Sequence, residues 1–264
     1  VGCEWVVWDD PAVDWGRYEA VVIRSTWDYH RSLGRFLRWC EEVDAVTRLV
    51  NPAPLARWNA HKRYLVELAD AGVPVVPTEL VTGGSGESLA AVADRRGWDE
   101  VVLKPAVGAG SVGTSRHRPD DPAAERAFAA LAARGDVLVQ PFLSEIESRG
   151  ETSVVVVDGT VTHAVAKVPA AGDFRVQEQY GGRRWAVEPT AAEVALAREA
   201  VTFAGATARP VYARVDCATV DGAPHVMELE VIEPALFLPL APAGTADALV
   251  AAVVAGGEGS GAGG

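Results

Sequence analysis

The chain has 264 residues, 49% hydrophobic and 23% charged, which suits one large or two small globular domains with a substantial core. Its formal net charge is −12, from 36 acidic and 24 basic residues, which argues against a nucleic-acid face and against attachment to an anionic membrane surface. Three unclustered cysteines, Cys3, Cys40 and Cys217, exclude a disulfide or zinc framework and suit a reducing, cytoplasmic compartment; no signal peptide and no apolar run of membrane-spanning length is visible.

Glu4–Asp9 and Glu19–Arg24 are predicted as buried strands, rich in Val and Ile. The chain opens at Val1 without Met, almost directly on the first of them, which suggests a segment missing upstream. The second strand runs into the polar-aromatic loop Ser25 to His30, followed by a helical pattern over Leu33–Val46 with Leu33, Phe36, Leu37 and Cys40 on one face. Strand, loop and helix in that order predict part of a parallel α/β unit, whose ligands sit beyond strand carboxyl ends. Beyond Asn51-Pro52, a helix is expected over His61–Ala71 and extended chain over Val73–Val81, with Pro74 and Pro77 against a central strand. A helix over Ser88–Arg96, a strand over Glu100–Lys104, a glycine-rich loop to Thr114, a helix over Pro122–Ala133 and a strand over Asp136–Gln140 complete a second block.

The third block is richer in hairpins. Asp158-Gly159 and Asp221-Gly222 each separate two apolar runs and predict two-residue turns, with arms Thr152–Val157 and Val161–Val168, then Tyr212–Val220 and His225–Ile232. Between them lie a loop holding Gly172, Gly181 and Gly182 and a helix over Ala191–Ala204 stopped by Gly205. A last helix covers Asp247–Val254, and the Gly/Ser/Ala-rich residues 256–264 suggest a disordered tail.

Only three of the 24 basic residues are lysines: Lys62, Lys104 and Lys167. A chain that otherwise uses arginine keeps a lysine where a compact ammonium is needed, or by chance. Lys104 ends a strand and precedes Gly108, Gly110, Ser111, Val112 and Gly113, which form either a phosphate cradle or a plain surface turn. Asp216, Glu228 and Glu230 sit on the arms of the second hairpin, with Glu228 and Glu230 on one face. They are either a magnesium site bridging phosphate oxygens or the solvated face of an alternating strand. Arg175, Gln177, Gly182 and the neighbouring arginines make a basic loop suited to an anion, preceded by Lys167. Gln140-Pro141-Phe142-Leu143 is a hinge able to clasp a flat base, with Glu151 placed to take ribose hydroxyls. The scattered histidines have no metal-ligand spacing, no GxSxG supports a serine nucleophile, and Cys217 is expected in the core.

The order of these features resembles the ATP-grasp superfamily, which includes glutathione synthetases, D-alanine–D-alanine ligases and ribosomal-protein glutamate ligases. The resemblance covers about residues 19–250 and rests on Asn59-Ala60-His61-Lys62, Val102-Leu103-Lys104-Pro105 with its loop, Val139 to Leu143, Gly150-Glu151, Gly172-Asp173-Phe174-Arg175 to Gly182, and Asp216 with Glu228-Leu229-Glu230. It implies an ATP-grasp fold, α/β and then α+β toward the C-terminus, behind a truncated Rossmann-like domain. The blocks become a partial pre-ATP-grasp domain (1–58), a central lid (59–140) and a C-terminal subdomain (141–255). It also implies ATP with Mg²⁺ or Mn²⁺ and an ADP-forming carboxylate–amine ligase working through an acyl phosphate on an amino acid or short peptide. The nucleotide would meet Lys62, Lys104, Gly110 to Gly113, Gln140 to Leu143, Glu151, Lys167 and Arg175, and the metal Asp216, Glu228 and Glu230. Lys104, Arg175 and Arg214 would serve the transferring group. Arg24, Ser25, Thr26, Asp28, Tyr29, Arg175, Gln177 and Gly182 would hold small-molecule carboxylate and amine substrates. The chain departs from the family pattern in carrying Glu230 where Asn is frequent and Lys167 where Arg is frequent. A narrower likeness, over Arg24–Tyr29 and Phe174–Gln177, points to cyclo-ligases of the O-ureidoserine type. The departures at the front leave room for a non-catalytic ATP-binding module, and a homodimer is compatible with all of these readings.

Overall fold

The computed structural model describes residues 2–255; the expected tail over 256–264 lies outside the described residues. Residues 2–7 form no strand, against the expectation for Glu4–Asp9. No neighbouring backbone offers this segment a ladder; instead Trp8 turns inward and packs edge-on against Phe36 and Trp39. The first sheet is β1 (Ala20–Val22), then α1 (Leu33–Val46) and β2 (Arg48–Val50), the two strands parallel. Helix α1 buries Phe36, Trp39, Cys40 and Val43, spaced for one helical face.

A short helix, α2 (Ala53–Asn59), precedes α3 (Tyr64–Asp70). The helix expected from His61 starts later because the Lys62 N–H is taken by the Ala106 carbonyl, which holds residues 61–63 in a turn. The next elements are β3 (Glu79–Val81), α4 (Leu89–Arg96), β4 (Val101–Pro105), β5 (Ser115–His117), α5 (Pro122–Ala132) and β6 (Val137–Pro141). They form a sheet in the order β3-β6-β4-β5. Its residues Val101, Leu103, Val137 and Val139 pack under Leu89, Val92, Ala124 and Phe128 of the two helices. The alternate residues Val102, Lys104 and Gln140 therefore face away from that core.

After the hinge Gln140–Leu143 comes a short helix, α6 (Glu145–Arg149). Then come β7 (Glu151–Val157), β8 (Thr160–Val168), β9 (Arg183–Val187), α7 (Ala191–Ala204), β10 (Tyr212–Val220), β11 (Ala223–Glu230) and α8 (Thr245–Ala255). The five strands make one antiparallel sheet, β11-β10-β7-β8-β9. Both hairpin turns place their Asp and Gly at positive φ (49° and 76°; 50° and 79°), as a turn that matches strand twist requires. Helix α7 has a Thr190/Glu193 capping box and packs Leu196, Ala197, Ala200 and Val201 onto Val154, Val156, Val215 and Leu229. Apolar residues therefore occupy one face of this sheet; on the other, Val155, Val157 and Tyr212 pack with Leu236 and α8, and the charged side chains take the part beyond them. No helix among the described residues is long and apolar enough to cross a membrane.

Two buried asparagines and a tyrosine lock the first sheet to the last hairpin. Asn51 Nδ2 donates to the carbonyls of Tyr212 (2.9 Å) and Val231 (2.7 Å), and its Oδ1 accepts from Val211 N–H at 2.7 Å. Asn59 bonds Leu229 O and Val231 N–H in the same manner. The Tyr212 hydroxyl lies 2.8, 3.1 and 2.9 Å from the carbonyls of Ile23, Val50 and Ile232. Asn51→Ala strands three buried backbone groups, so it should lower unfolding free energy by about 2–4 kcal/mol, read from the urea midpoint. A loss below about 0.5 kcal/mol would mean that these bonds do not hold the two parts together.

Candidate active site

The charged face of the five-stranded sheet is ordered by its register. Arg214 lies opposite Glu230 and Asp216 opposite Glu228 on β10 and β11; Asp216 faces Ser153 on β7, and Glu151 faces Lys167 on β8. Arg214–Glu230 and Glu151–Lys167 thus set opposite charges across from each other, while Asp216 and Glu228 set two carboxylates side by side. Asp216 is the centre: its oxygens accept from Ser153 Oγ, from Lys167 Nζ at 3.0 Å, and from Arg214 Nε and Nη2 at 2.9 Å each. Burial alone would raise the Asp216 carboxyl, but Arg214 and Lys167 outweigh it and hold it well below the usual range. Arg214 also bonds Glu230 and lies over the Phe237 ring. Lys167 is saturated, with Glu151 Oε2 at 3.0 Å on its other side.

Glu228 and Glu230 are less satisfied. Glu228 Oε1 pairs with Lys62 Nζ at 2.9 Å, and Lys62 also donates to the Gly108 carbonyl at 2.8 Å. Burial, opposed by Arg214 but reinforced by Glu228 and Asp216, pushes the Glu230 carboxyl up to about 7. Asp216, Glu228 and Glu230 each place a carboxylate oxygen within 4.8 Å of the others. Hard oxygen donors in this number suit Mg²⁺ or Mn²⁺. The fit is best at Glu228 and Glu230, whose second oxygens have no protein partner among the described residues, with Asp216 behind them already bonded to Ser153, Lys167 and Arg214.

Beside this face is a slot between the two larger sheets, lined by Val102, Lys104, Gln140 to Leu143, Ile146, Glu151, Phe174 to Gln177 and Met227. Its walls are largely apolar, and Phe174 stands edge-on to Phe142. Arg116, itself held by Glu100 and Glu147, stacks 3.4 Å from the Phe142 centroid. Gln140 Nε2 donates to Thr78, while Gln140 Oε1 and Gln177 Oε1 are buried without a partner. A flat heterocycle with donor groups would satisfy such acceptors.

Lys104 reaches into the slot, and among the described residues its ammonium has the Met227 thioether, at 3.2 Å, as its one hydrogen-bond partner. Burial drives its pKa down despite Glu228 and Glu151. The strand irregularity explains the contact: Asp216 pairs with Glu228 but Cys217 pairs with Val226, so Met227 is the extra residue of a bulge. Met227 was not expected here; strict alternation along β11 would have put it on the face away from Glu228. Gly110, Ser111 and Gly113 of the following loop have φ of 61°, 59° and 78°, and the Gly110 carbonyl accepts from Gln179 at 3.2 Å. Val112 is exposed. Arg175 lines the slot but is held by both oxygens of Asp173 and stacks on Tyr180. Gly182 is required by a close approach, since a Cβ there would lie 2.1 Å from the Val176 carbonyl oxygen.

The loop after β1 lies near the Lys62 side of this site. Arg24 and Thr26 carry a buried Nη1 and Oγ1 without partners, and Ser25 turns at φ 54°. Tyr29 is buried against Phe36, while Asp28 is exposed. Trp27 donates to the carbonyl of Glu233, a buried residue absent from the sequence-based set.

Known proteins are similar to this chain in sequence and fold. A family model for the N-terminal domain of the D-cycloserine synthetase DcsG matches residues 1–51, and one for the ATP-grasp domain of prokaryotic glutathione synthetase matches residues 68–205. The cycloserine biosynthesis protein DcsG of Streptomyces lavendulae is 39% identical over 88% of this chain and 81% of its own. The crystal structure of D-cycloserine synthetase DcsG superposes with a TM-score of 0.84 at 34% identity, over 95% of this chain and 88% of that one. The glutathione synthetase of Agrobacterium fabrum is 29% identical over 60% of this chain and 48% of its own. D-alanine–D-alanine ligase from Bacillus anthracis, at 18% identity, TM-score 0.60, and coverage of 78% and 70%, shares the fold.

A half-buried ammonium without an acid partner should be the anchor for a phosphate. Lys104→Ala should weaken binding of a non-hydrolysable ATP analogue about 10–100-fold, the worth of one charge-assisted bond, without lowering the melting temperature. Because the free ammonium titrates low and a bound anion would raise it, wild-type affinity should fall as pH rises, starting below the ordinary lysine value of about 10.4, and Lys104→Ala should lose that slope. Unchanged affinity in the variant would remove Lys104 from the site.

Proposed function

The chain belongs to the ATP-grasp ligases, which form carbon–nitrogen bonds while converting ATP to ADP, and on that premise we propose that it closes a small amino-acid derivative into a ring through an acyl phosphate. The observation that carries the ring-closing reading is the likeness to DcsG, which extends through residues 1–51 and so includes the loop Arg24–Tyr29 as well as the nucleotide slot.

In this reading adenine occupies the slot between Val102, Phe142, Ile146 and Met227, with Gln140 and Glu151 at its polar edge. Lys62 and Lys104 meet the phosphates, and the loop Gly110–Gly113 covers them and keeps water out. Mg²⁺ held by Glu228 and Glu230, backed by Asp216, would supply charge neutralisation at the phosphate oxygens. The substrate carboxylate attacks the γ-phosphorus and ADP leaves. A nitrogen of the same molecule then attacks the acyl carbon, and phosphate departs. Arg214, fixed in plane by Asp216 and Glu230, offers its guanidinium to the carbonyl oxygen that gains charge when the nitrogen attacks. Arg175 would join it on release from Asp173. Most of the rate then comes from positioning and electrostatics.

The test is ADP release with O-ureidoserine, with products read by mass spectrometry. A cyclised product supports the reading; amide formation only with an added amine would favour an intermolecular carboxylate–amine ligase. ATP binding without turnover across carboxylates would favour a binding module. Hydroxylamine should trap the acyl phosphate as a hydroxamate. Glu228→Gln should raise the Mg²⁺ concentration needed for half-maximal activity by about 10-fold or more, and a normal Mg²⁺ titration would remove Glu228 from the metal site.

A further inference from the structure

Glu233 follows the strand that carries Glu228 and Glu230 and is only 8% exposed. Apart from its own backbone N–H, its carboxylate has no hydrogen bond or ion pair among the described residues. A buried carboxylate in that condition is costly, and such groups are normally paired. A cation is nearby: Arg24 and Glu233 attract each other, yet they do not come within the 4.0 Å of an ion pair. Arg24 keeps a buried Nη1 without a partner, and Thr26, 9% exposed, keeps a buried Oγ1 in the same state. The separation is built in. Trp27 Nε1 donates to the Glu233 backbone carbonyl at 3.2 Å, which ties the loop to this segment by its main chain and leaves the side chains apart. Arg24 is further held over the Tyr212 ring, 5.6 Å from its centroid.

A buried carboxylate without a side-chain partner, tied to a loop that carries unpaired donors, is complementary to a molecule that carries both kinds of group. We infer that Glu233 receives the ammonium of an α-amino-acid-type substrate, while Arg24 Nη1 and Thr26 Oγ1 take an oxygen of the same molecule. The inference rests on the ligase reading above and adds a residue and a chemical requirement to it: a free primary amine. Lys62, which also feels Glu233, places this subsite next to the phosphate end of the nucleotide site. Burial, reinforced by Glu230, pushes the Glu233 carboxyl well above the usual range.

The test is calorimetric titration of the full chain, saturated with a non-hydrolysable ATP analogue and Mg²⁺. The probes are α-amino acids of both hands, O-ureidoserine among them, each paired with its Nα-acetyl derivative. At least one free amine should bind at least 10-fold more tightly than its acetylated form. Glu233→Gln, nearly isosteric, should lose that preference while binding the nucleotide as wild type does. Glu233→Asp should retain part of it, which a merely structural role would not produce. Equal binding of amine and acetylated forms, retained preference in Glu233→Gln, or no amino acid bound by a chain that binds nucleotide would each overturn the inference. ATP turnover with a carboxylate lacking an amine would leave the ligase reading standing while this subsite fell.

Discussion

The structure depends on the charge of one buried carboxylate. Asp216 is removed from water, and its two oxygens are met by four donors from three neighbouring residues. Taking any of them away would leave a buried charge exposed to its own desolvation cost, which is larger than the worth of a surface pair. The strands supply the donors: Ser153 stands beside Asp216 by strand pairing, Arg214 shares its face two residues earlier on β10, and Lys167 is brought over by its own pairing with Glu151. The same register aligns Glu228 and Glu230 on the edge strand, where their second oxygens have no protein partner among the described residues. A rigid, internally neutralised row thus supports a less neutralised one.

That division extends through the site. Lys167, Arg175 and Arg214 are cations with carboxylates already attached, whereas Lys104 rests against a thioether. Groups of the first kind are held in place by their carboxylates, and the group of the second kind has no such anchor. Sequence alone cannot separate them, because a lysine's partner is set by which strand lies beside it.

Much of the fold was legible in local chemistry. Helix α1 has one apolar face, α7 opens with Thr190 and Glu193 three residues apart, and the two Asp-Gly turns need positive φ. All of these are decided within a few residues. The segment Glu4–Asp9 misled because Trp and Val spacing fits both a strand and an irregular chain whose tryptophan plugs a helix face. Strands β2, β5 and β9 and helix α2 were not expected; at three to seven residues they carry too little pattern. In the site, the scarcity of lysine pointed to Lys62 and Lys104, and alternation pointed to Glu228 and Glu230. Met227 was hidden by a bulge that breaks the period of two, and Glu233 by its place past the end of the strand, where no period assigns a face.

The Tyr212 hydroxyl has a consequence for how the chain assembles. Its partners at Ile23 and Val50 precede it by 189 and 162 residues, and Asn51 reaches equally far to Val211 and Val231. Loop closure over such separations is slow relative to local pairing. As the polypeptide leaves the ribosome, the first sheet therefore has no surface to dock on until the final hairpin has emerged. The loop Arg24–Tyr29 and the segment after β11 come together only in that last step. A nascent chain could complete the hairpin β7–β8 well before the pocket proposed between those two segments exists.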